Sequence, residues 1–171
     1  MRIVSILAVL GASAAFAQAP ANPFSAETKS FWAAVTGYVL RSAEKMPEEN
    51  YAFRPTPEVR SFGAILAHIA DEHYLVCSAD KGEKKDMAVE KTKSTKAEIV
   101  AALKDSVAYC DASYDALTDA RATESIPFYG RGRARIGALQ FNVLHDFEHY
   151  GNLITYLRLK GLVPPSSEPR K

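Results

Sequence analysis

The sequence predicts an all-α protein folded as a single four-helix bundle. Four long segments carry apolar residues at spacings of three and four, which is the period of an amphipathic helix. Turn-rich stretches separate these segments, and no stretch alternates apolar and polar residues for long enough to predict a sheet. Connections of roughly 14 residues or more allow consecutive helices to lie apart, so a crossover topology is open to the chain.

The composition is that of an ordinary globular domain. Of 171 residues, 47% are hydrophobic and 24% are charged, which excludes a disordered or collagen-like chain. The 21 basic residues nearly balance the 20 acidic ones, so no overall field attracts nucleic acid or an anionic membrane. We therefore expect no nucleic-acid partner.

The first residues indicate a targeting segment rather than part of the fold. The chain opens MRIVSILAVLGASAAFAQAP, in which Arg2 precedes an apolar run that is too short for a comfortable membrane span. Small residues then form a cleavage site between Ala17 and Gln18. We expect residues 1–17 to be a signal peptide and residues 18–171 to be one mature domain, secreted or periplasmic and without a membrane span. An uncleaved anchor is the alternative.

The first two helices are predicted over residues 25–46 and from Ser61 to about Asp80. Ser25 is a suitable N-cap for the first, and Pro47 ends it because proline cannot continue a helix. Two prolines forbid a regular helix in the connection that follows, and Ser61 precedes the next apolar-periodic segment.

The third helix begins at Ser94 or Thr95, where Glu98 can complete a capping box, and continues to about Thr118. It follows residues 80–96, which alternate in charge sign and contain few apolar side chains. We predict that this stretch is a solvated loop without a chemical role.

The fourth helix is the longest, predicted over residues 133–160 and closed by Gly161. Residues 119–132 precede it and are predicted to be a loop, because they contain proline and glycine. Three arginines cluster where the loop meets the helix, and they are expected to be solvated; the alternative is an anion site at the helix N-terminus. They are Arg131, Arg133 and Arg135.

Two cysteines lie on different predicted helices. In an oxidising compartment such a pair tends to close, so we predict a disulfide between Cys77 and Cys110. The alternative is two separate buried thiols. No C-x-x-C occurs, so neither a redox motif nor a zinc finger is predicted.

Three of the four histidines form a candidate metal site. His145 and His149 lie four residues apart on the fourth helix, which places both imidazoles on one face. His68, in the middle of the second helix, adds a third nitrogen donor. Without a partner each buried imidazole costs on the order of 1 to 3 kcal/mol, and a metal ion removes that cost. Core or surface histidines with ordinary hydrogen bonds are the alternative.

Three protein ligands leave a coordination position for water or substrate, as in catalytic sites. Imidazole suits Zn or Ni, with Fe, Mn and Cu as alternatives. Asp71 and Glu72 lie one turn after His68, where either could orient that ligand or act as an acid or base. His73 is rotated away from His68, and we expect it to be a packing or partly exposed residue.

The string HDFEH also satisfies the H-x-x-E-H pattern of inverted zinc metallopeptidases, in which the glutamate is a general base. Those enzymes take a third ligand well downstream, and just 22 residues follow His149. We therefore expect Glu148 to be a helix-surface residue.

The chain resembles the DinB family of metal-binding proteins. The resemblance rests on ENYAFRPTPEVRSFGAILAHIAD, with one histidine in mid-helix, and on LHDFEHYGNLITYLRLKGLVPP, with the paired histidines and the closing Gly and Pro. It implies an up-down-down-up bundle, often dimeric, with a divalent metal held by three side chains. The family's ligands fall on His68, His145 and His149.

The resemblance implies two kinds of activity on an unidentified small molecule. Some members are hydrolases that depend on a metal, and others transfer or isomerise with a low-molecular-weight thiol. Those thiols are largely cytoplasmic, so the signal peptide favours the hydrolase. A non-catalytic metal-binding or dimeric interaction module is the further alternative, and a fourth ligand such as His73 would indicate it.

Overall fold

Five α-helices and one short β-hairpin make up the fold, as seen in a computed structural model that describes residues 21–169. The four long helices pack as a bundle, which confirms the predicted fold class. The predicted signal peptide lies outside the described residues. The elements in chain order are α1 (Pro23–Lys45), α2 (Phe62–Lys81), α3 (Val89–Thr92), α4 (Lys96–Asp115), β1 (Ser125–Phe128), β2 (Arg131–Ala134) and α5 (Arg135–Leu159).

Helices α2 and α4 are parallel neighbours. Gly63 and Ile99, near the starts of the two helices, are in close contact. Near their ends a disulfide joins Cys77 to Cys110, whose Cα atoms are 5.4 Å apart. The two cysteines are therefore not separate thiols.

Helix α5 runs antiparallel to α2. The Arg135 guanidinium, at the start of α5, hydrogen-bonds Asp80 near the end of α2. At the opposite end, the Tyr156 hydroxyl donates to the backbone carbonyl of Arg60, just before α2, over 2.8 Å. This antiparallel pair forms the wall that carries the clustered histidines.

Helix α1 completes the bundle, packing between α4 and α5. Lys29, near its start, pairs with Asp115 at the end of α4, and Glu44, near its end, pairs with Lys104 in the first half of α4, so these two helices are antiparallel. Lys45, at the end of α1, donates to the carbonyl of Val163 beyond the end of α5, so α1 and α5 are parallel. The four long helices thus have the up-down-down-up topology.

The starts of α2 and α4 follow local signals in the sequence, whereas the prediction of Ser25 as the N-cap of α1 was wrong, because the helix begins at Pro23 after the N-cap Asn22. The Ser61 side chain accepts from the Ala64 amide at the start of α2. Thr95 and Glu98 form the predicted capping box at the start of α4. Large apolar side chains fill the interior, each contributing about 1.5–3 kcal/mol when fully buried. They include Trp32, stacked on Tyr114, together with Phe62, Leu66, Leu103, Leu139 and Leu153.

The prediction of a loop over residues 119–132 was wrong, because part of it is a hairpin. Strands β1 and β2 pair antiparallel and place Tyr129 and Gly130 at the turn, with φ of 47° and 74°. Positive φ at both turn residues matches the right-handed twist of a two-residue hairpin. Each strand has four residues, which are too few for an alternating pattern to be recognised in the sequence. Because β2 ends at Ala134, α5 begins at Arg135, two residues later than predicted.

Two further expectations about charged segments were wrong. Residues 80–96 are not wholly a solvated loop, because α3 lies within them and Val89 is buried against the bundle. Arg135 is not a solvated arginine, since it pairs with Asp80 and Glu124 and is nearly buried. Within the described part of the chain, none of the helices combines the length and apolarity needed to cross a membrane.

Candidate metal centre

The antiparallel packing of α2 against α5 brings three imidazoles together. His145 Nε2 lies 3.1 Å from His68 Nε2 and 3.0 Å from His149 Nε2. One ring nitrogen from each of the three residues lies within 4.8 Å of the others. All three rings are largely removed from solvent, which is unusual for polar side chains that face one another.

The donor set fits a divalent metal ion. Metal–nitrogen bonds of about 2.0–2.1 Å in a tetrahedral site separate the ligating nitrogens by roughly 3.3 Å. The two Nε2–Nε2 distances at His145 are close to that value, so small rotations of the rings suffice for all three to ligate. These three histidines could therefore hold one ion, with a coordination position left over.

The site keeps its histidines in the neutral form that metal ligation requires. Burial, together with His149 and His68 nearby, lowers the pKa of His145 from 6.5 to about 3. Burial and the Arg60 guanidinium lower the pKa of His68, although Glu90 opposes the shift. Burial and the neighbouring His68 lower the pKa of His149. At neutral pH each ring offers an unprotonated nitrogen.

Glu90 is a residue near the site that the sequence did not reveal. Its carboxylate lies 3.7 Å from His68 Nδ1 and accepts from Arg60 Nε over 2.9 Å. Asp71 holds the segment in place, because its two oxygens accept from the amides of Val89 and Glu90 over 2.8 and 3.0 Å. Asp71 therefore caps α3 instead of presenting a free acid or base to the histidines.

Glu72, whose charge acts on His68 one helical turn away, is hydrogen-bonded to the hairpin. The Tyr129 hydroxyl donates to Glu72 Oε1 over 2.6 Å, and the carboxylate is mostly buried. Burial and this hydrogen bond to a carboxylate raise the pKa of Tyr129, so it stays a protonated donor. Phe141 packs between the Tyr129 ring and His145, with centroid distances of 5.9 and 6.1 Å.

His73 is not part of the cluster. Its Nε2 lies 2.9 Å from Asp146 Oδ2 and its Nδ1 lies 2.9 Å from Ser106 Oγ, and all three residues are fully buried. His73 is thus a packing histidine as expected, and the partly exposed alternative was wrong. Because both ring nitrogens are engaged elsewhere, His73 does not supply a fourth ligand. Glu148 is exposed, in agreement with its prediction as a surface residue.

A cleft of about 250 Å³ opens beside His149. It has both polar and apolar walls, so a small organic molecule could lie against the histidine cluster. Arg60 is held on its rim by two contacts, from its side chain to Glu90 and from the Tyr156 hydroxyl to its backbone carbonyl. The lining consists of Glu58, Val59, Arg60, Ile65, His149, Asn152 and Tyr156.

The sequence of the chain matches a known protein family. The sequence profile of the DinB superfamily matches residues 32–153, which is most of the chain. The chain belongs to the DinB superfamily. That span includes every helix of the bundle except the first turns of α1 and the last turns of α5, and it contains all three clustered histidines.

Solved structures show the same fold for this DinB chain. A DinB-like protein from Bacillus cereus ATCC 10987 superposes with a TM-score of 0.71 at 16% identity, covering 81% of this chain and 93% of that one. A DinB-like protein from Bacillus subtilis gives 0.67 at 21% identity, covering 85% and 99%. At these identities the likeness concerns the fold.

A further similar structure is that of an enzyme. The mycothiol-dependent maleylpyruvate isomerase superposes with a TM-score of 0.62 at 14% identity. The alignment covers 75% of this DinB chain but 60% of the isomerase, which is the larger protein. None of the curated proteins compared with the chain matches its sequence.

Proposed function

We propose that this DinB protein is an exported metal-dependent hydrolase. The observation that carries the proposal is the convergence of three neutral imidazoles, His68, His145 and His149, beside an open cleft. Three protein ligands with room for water are typical of catalytic metal sites. Zinc or nickel suits the nitrogen donors best, with Fe, Mn and Cu as alternatives.

Each part of the site has a role in this proposal. When bound, the metal supplies a Lewis acid and activates water toward an ester, an amide or a similar bond. Tyr129 occupies only Oε1 of Glu72, so we assign proton transfer to the second oxygen of Glu72, and not to Asp71, whose oxygens both cap α3. Arg60, held by Glu90, would bind the polar end of a substrate in the cleft.

Export is supported by two independent features. The first 17 residues carry the features of a cleavable signal. The Cys77–Cys110 disulfide is of the kind that persists in oxidising compartments and is rare in the cytosol. N-terminal sequencing of the protein from the periplasm or medium of its producing cell tests this part directly, with Gln18 as the expected first residue.

The metal site is tested by the metal content of the untagged mature protein. We expect near-stoichiometric metal in the wild type and its loss in a His145→Ala/His149→Ala variant, measured by mass spectrometry. Glu148→Gln is the matched control, because it changes an exposed residue on the same turn of α5 and keeps all three imidazoles. Absence of metal from the wild type after reconstitution would overturn the proposal.

A second candidate is a thiol-dependent transferase or isomerase, and the likeness to the mycothiol-dependent isomerase favours it. Metal-loaded protein assayed on a panel of esters and amides, with and without a low-molecular-weight thiol, separates the two. Turnover without thiol, lost in Glu72→Gln, supports the hydrolase. Turnover that requires thiol supports the second candidate. Stoichiometric metal without turnover in either assay would indicate a metal-binding module.

A further inference from the structure

Two buried polar atoms beside the metal centre lack hydrogen-bond partners within the described residues. They are His145 Nδ1 and Asp146 Oδ1, and they lie 4.0 Å apart. One belongs to a ring whose other nitrogen faces His68 and His149. The other belongs to a carboxylate whose second oxygen bonds His73. An unpaired buried polar group costs about 1–3 kcal/mol, so two adjacent ones call for an explanation.

The protonation state required for ligation makes these two atoms complementary. A histidine that ligates through Nε2 must leave that nitrogen unprotonated, so the single proton of the neutral ring resides on Nδ1. His145 Nδ1 then becomes a buried donor that needs an acceptor. Asp146 Oδ1 is a carboxylate acceptor without a donor, and a shift of about 1 Å would bring the pair to hydrogen-bond distance.

The chemistry of residue 146 also points to this use. His73 Nε2 lies within hydrogen-bond distance of only one oxygen of Asp146, and a carboxamide oxygen would accept from an Nε2–H donor equally well. A carboxylate offers two acceptors, one for His73 and one for His145. Asp146 is fully buried, and removing a carboxylate from water is costly. One hydrogen bond to His73 does not offset that cost, whereas hydrogen bonds to both carboxylate oxygens offset more of it.

We propose that Asp146, held by His73, is a positioning residue for the metal ligand His145. In the metal-bound protein His145 Nδ1–H donates to Asp146 Oδ1, while His73 Nε2 stays hydrogen-bonded to Oδ2. Carboxylate–histidine–metal arrangements of this kind fix the tautomer and orientation of the ring and make it a better ligand. The inference rests on the proposed metal site and adds to it a buried carboxylate that orients one of its three ligands.

The test is the zinc affinity of Asp146→Asn, measured by competition with a chromophoric chelator. The single oxygen of the introduced carboxamide can serve His73 or His145 but not both, so we expect zinc affinity about 10- to 100-fold weaker than in the wild type. Ser106→Ala is the matched control. It removes a buried hydrogen bond from the other side of His73 and leaves the Asp146 carboxylate intact, so zinc affinity should not change.

The outcomes separate this inference from the metal site itself. Failure of the wild type to bind zinc would overturn the proposed site. Zinc binding by Asp146→Asn with wild-type affinity would overturn the role of Asp146 alone. Equal weakening by Ser106→Ala would assign the effect to core packing and would also overturn it.

A second measurement needs no variant, in case Asp146→Asn does not fold. In the zinc-loaded wild type, the His145 Nδ1–H proton should give a slowly exchanging, hydrogen-bonded resonance in ¹⁵N-histidine NMR spectra. A loss of core packing would not produce such a signal. A ring proton on His145 that exchanges rapidly with solvent would contradict the hydrogen bond to Asp146.

Discussion

Burial gives the clustered histidines an acid–base behaviour that differs from that of histidine in water. The pKa of His145 falls to about 3, and those of His68 and His149 are also lowered, because burial disfavours the imidazolium form. In the unfolded chain the same residues titrate near their ordinary value of about 6.5. Proton uptake therefore differs between the folded and unfolded states over a defined pH range.

Metal-free protein should lose stability as the pH falls below about 6.5. The unfolded chain binds protons there while the folded histidines stay neutral, so each contributes a loss of at most about 1.4 kcal/mol per pH unit. For His145 the loss continues until the pH reaches about 3. Urea unfolding at several pH values between 7 and 5, where most carboxylates stay ionised, measures the slope of the free energy of unfolding against pH. A His145→Gln variant should show a shallower slope, and identical slopes would contradict the shifted pKa.

At the scale of elements, the shortest α-helix of the described residues carries Glu90, a charged residue beside the site. A helix as short as α3 has no stability of its own in water. Asp71 stabilises it from α2 by accepting from two of its amides, and buried Val89 anchors it to the bundle. Glu90 is thereby held between Arg60 and His68.

Asp71→Ala should therefore loosen α3 and destabilise the protein by about 0.5–2 kcal/mol, the usual range for the loss of a helix cap. Urea unfolding measures the stability, and amide hydrogen exchange over residues 89–92 measures the local opening. Asp86→Ala, which removes an exposed acid from the same connection, is the control and should change neither. Unchanged exchange in Asp71→Ala would contradict the capping role.

For the whole molecule, the disulfide links the parallel pair α2 and α4 across 33 residues of sequence. Closing a loop of that length stabilises a fold by about 3–4 kcal/mol, mainly by restricting the unfolded chain. A Cys77→Ala/Cys110→Ala variant should lose about that much free energy of unfolding. Reductant should destabilise the wild type and leave the variant unaffected. A variant as stable as the oxidised wild type would contradict this expectation.

An apolar groove between α1 and α5 is the surface where we propose that two copies meet. It has a volume of about 320 Å³, and Phe31, Leu144 and Phe147 line it while remaining accessible to solvent. Leu144→Glu should shift a dimer to monomer in sedimentation velocity. Leu159→Glu is the control, because Leu159 is similarly exposed on α5 but outside the groove. A monomeric wild type would contradict the proposal.

Much of this molecule could be predicted from local sequence alone. Helix periodicity predicted the four long helices, and Ser61, Thr95 and Glu98 marked two of their starts, because caps depend on residues within a single turn. The i, i+4 spacing of His145 and His149 placed both rings on one face of α5 for the same reason. The short hairpin was missed because its pairing depends on a turn and on contacts outside the strands.

The sequence by itself determined the four long helices, the caps at the starts of α2 and α4, and the residue types on each face, since these depend on neighbours within about one turn. Only the tertiary structure decided the partners of the charged side chains. Asp71 is hydrogen-bonded to the first amides of α3, Glu72 is hydrogen-bonded to Tyr129, and Asp146 is hydrogen-bonded to His73 on another helix. Such pairings join segments that are distant in sequence, and the packing of α3, the hairpin and α5 against α2 selects them, because buried polar groups must find partners where packing places them.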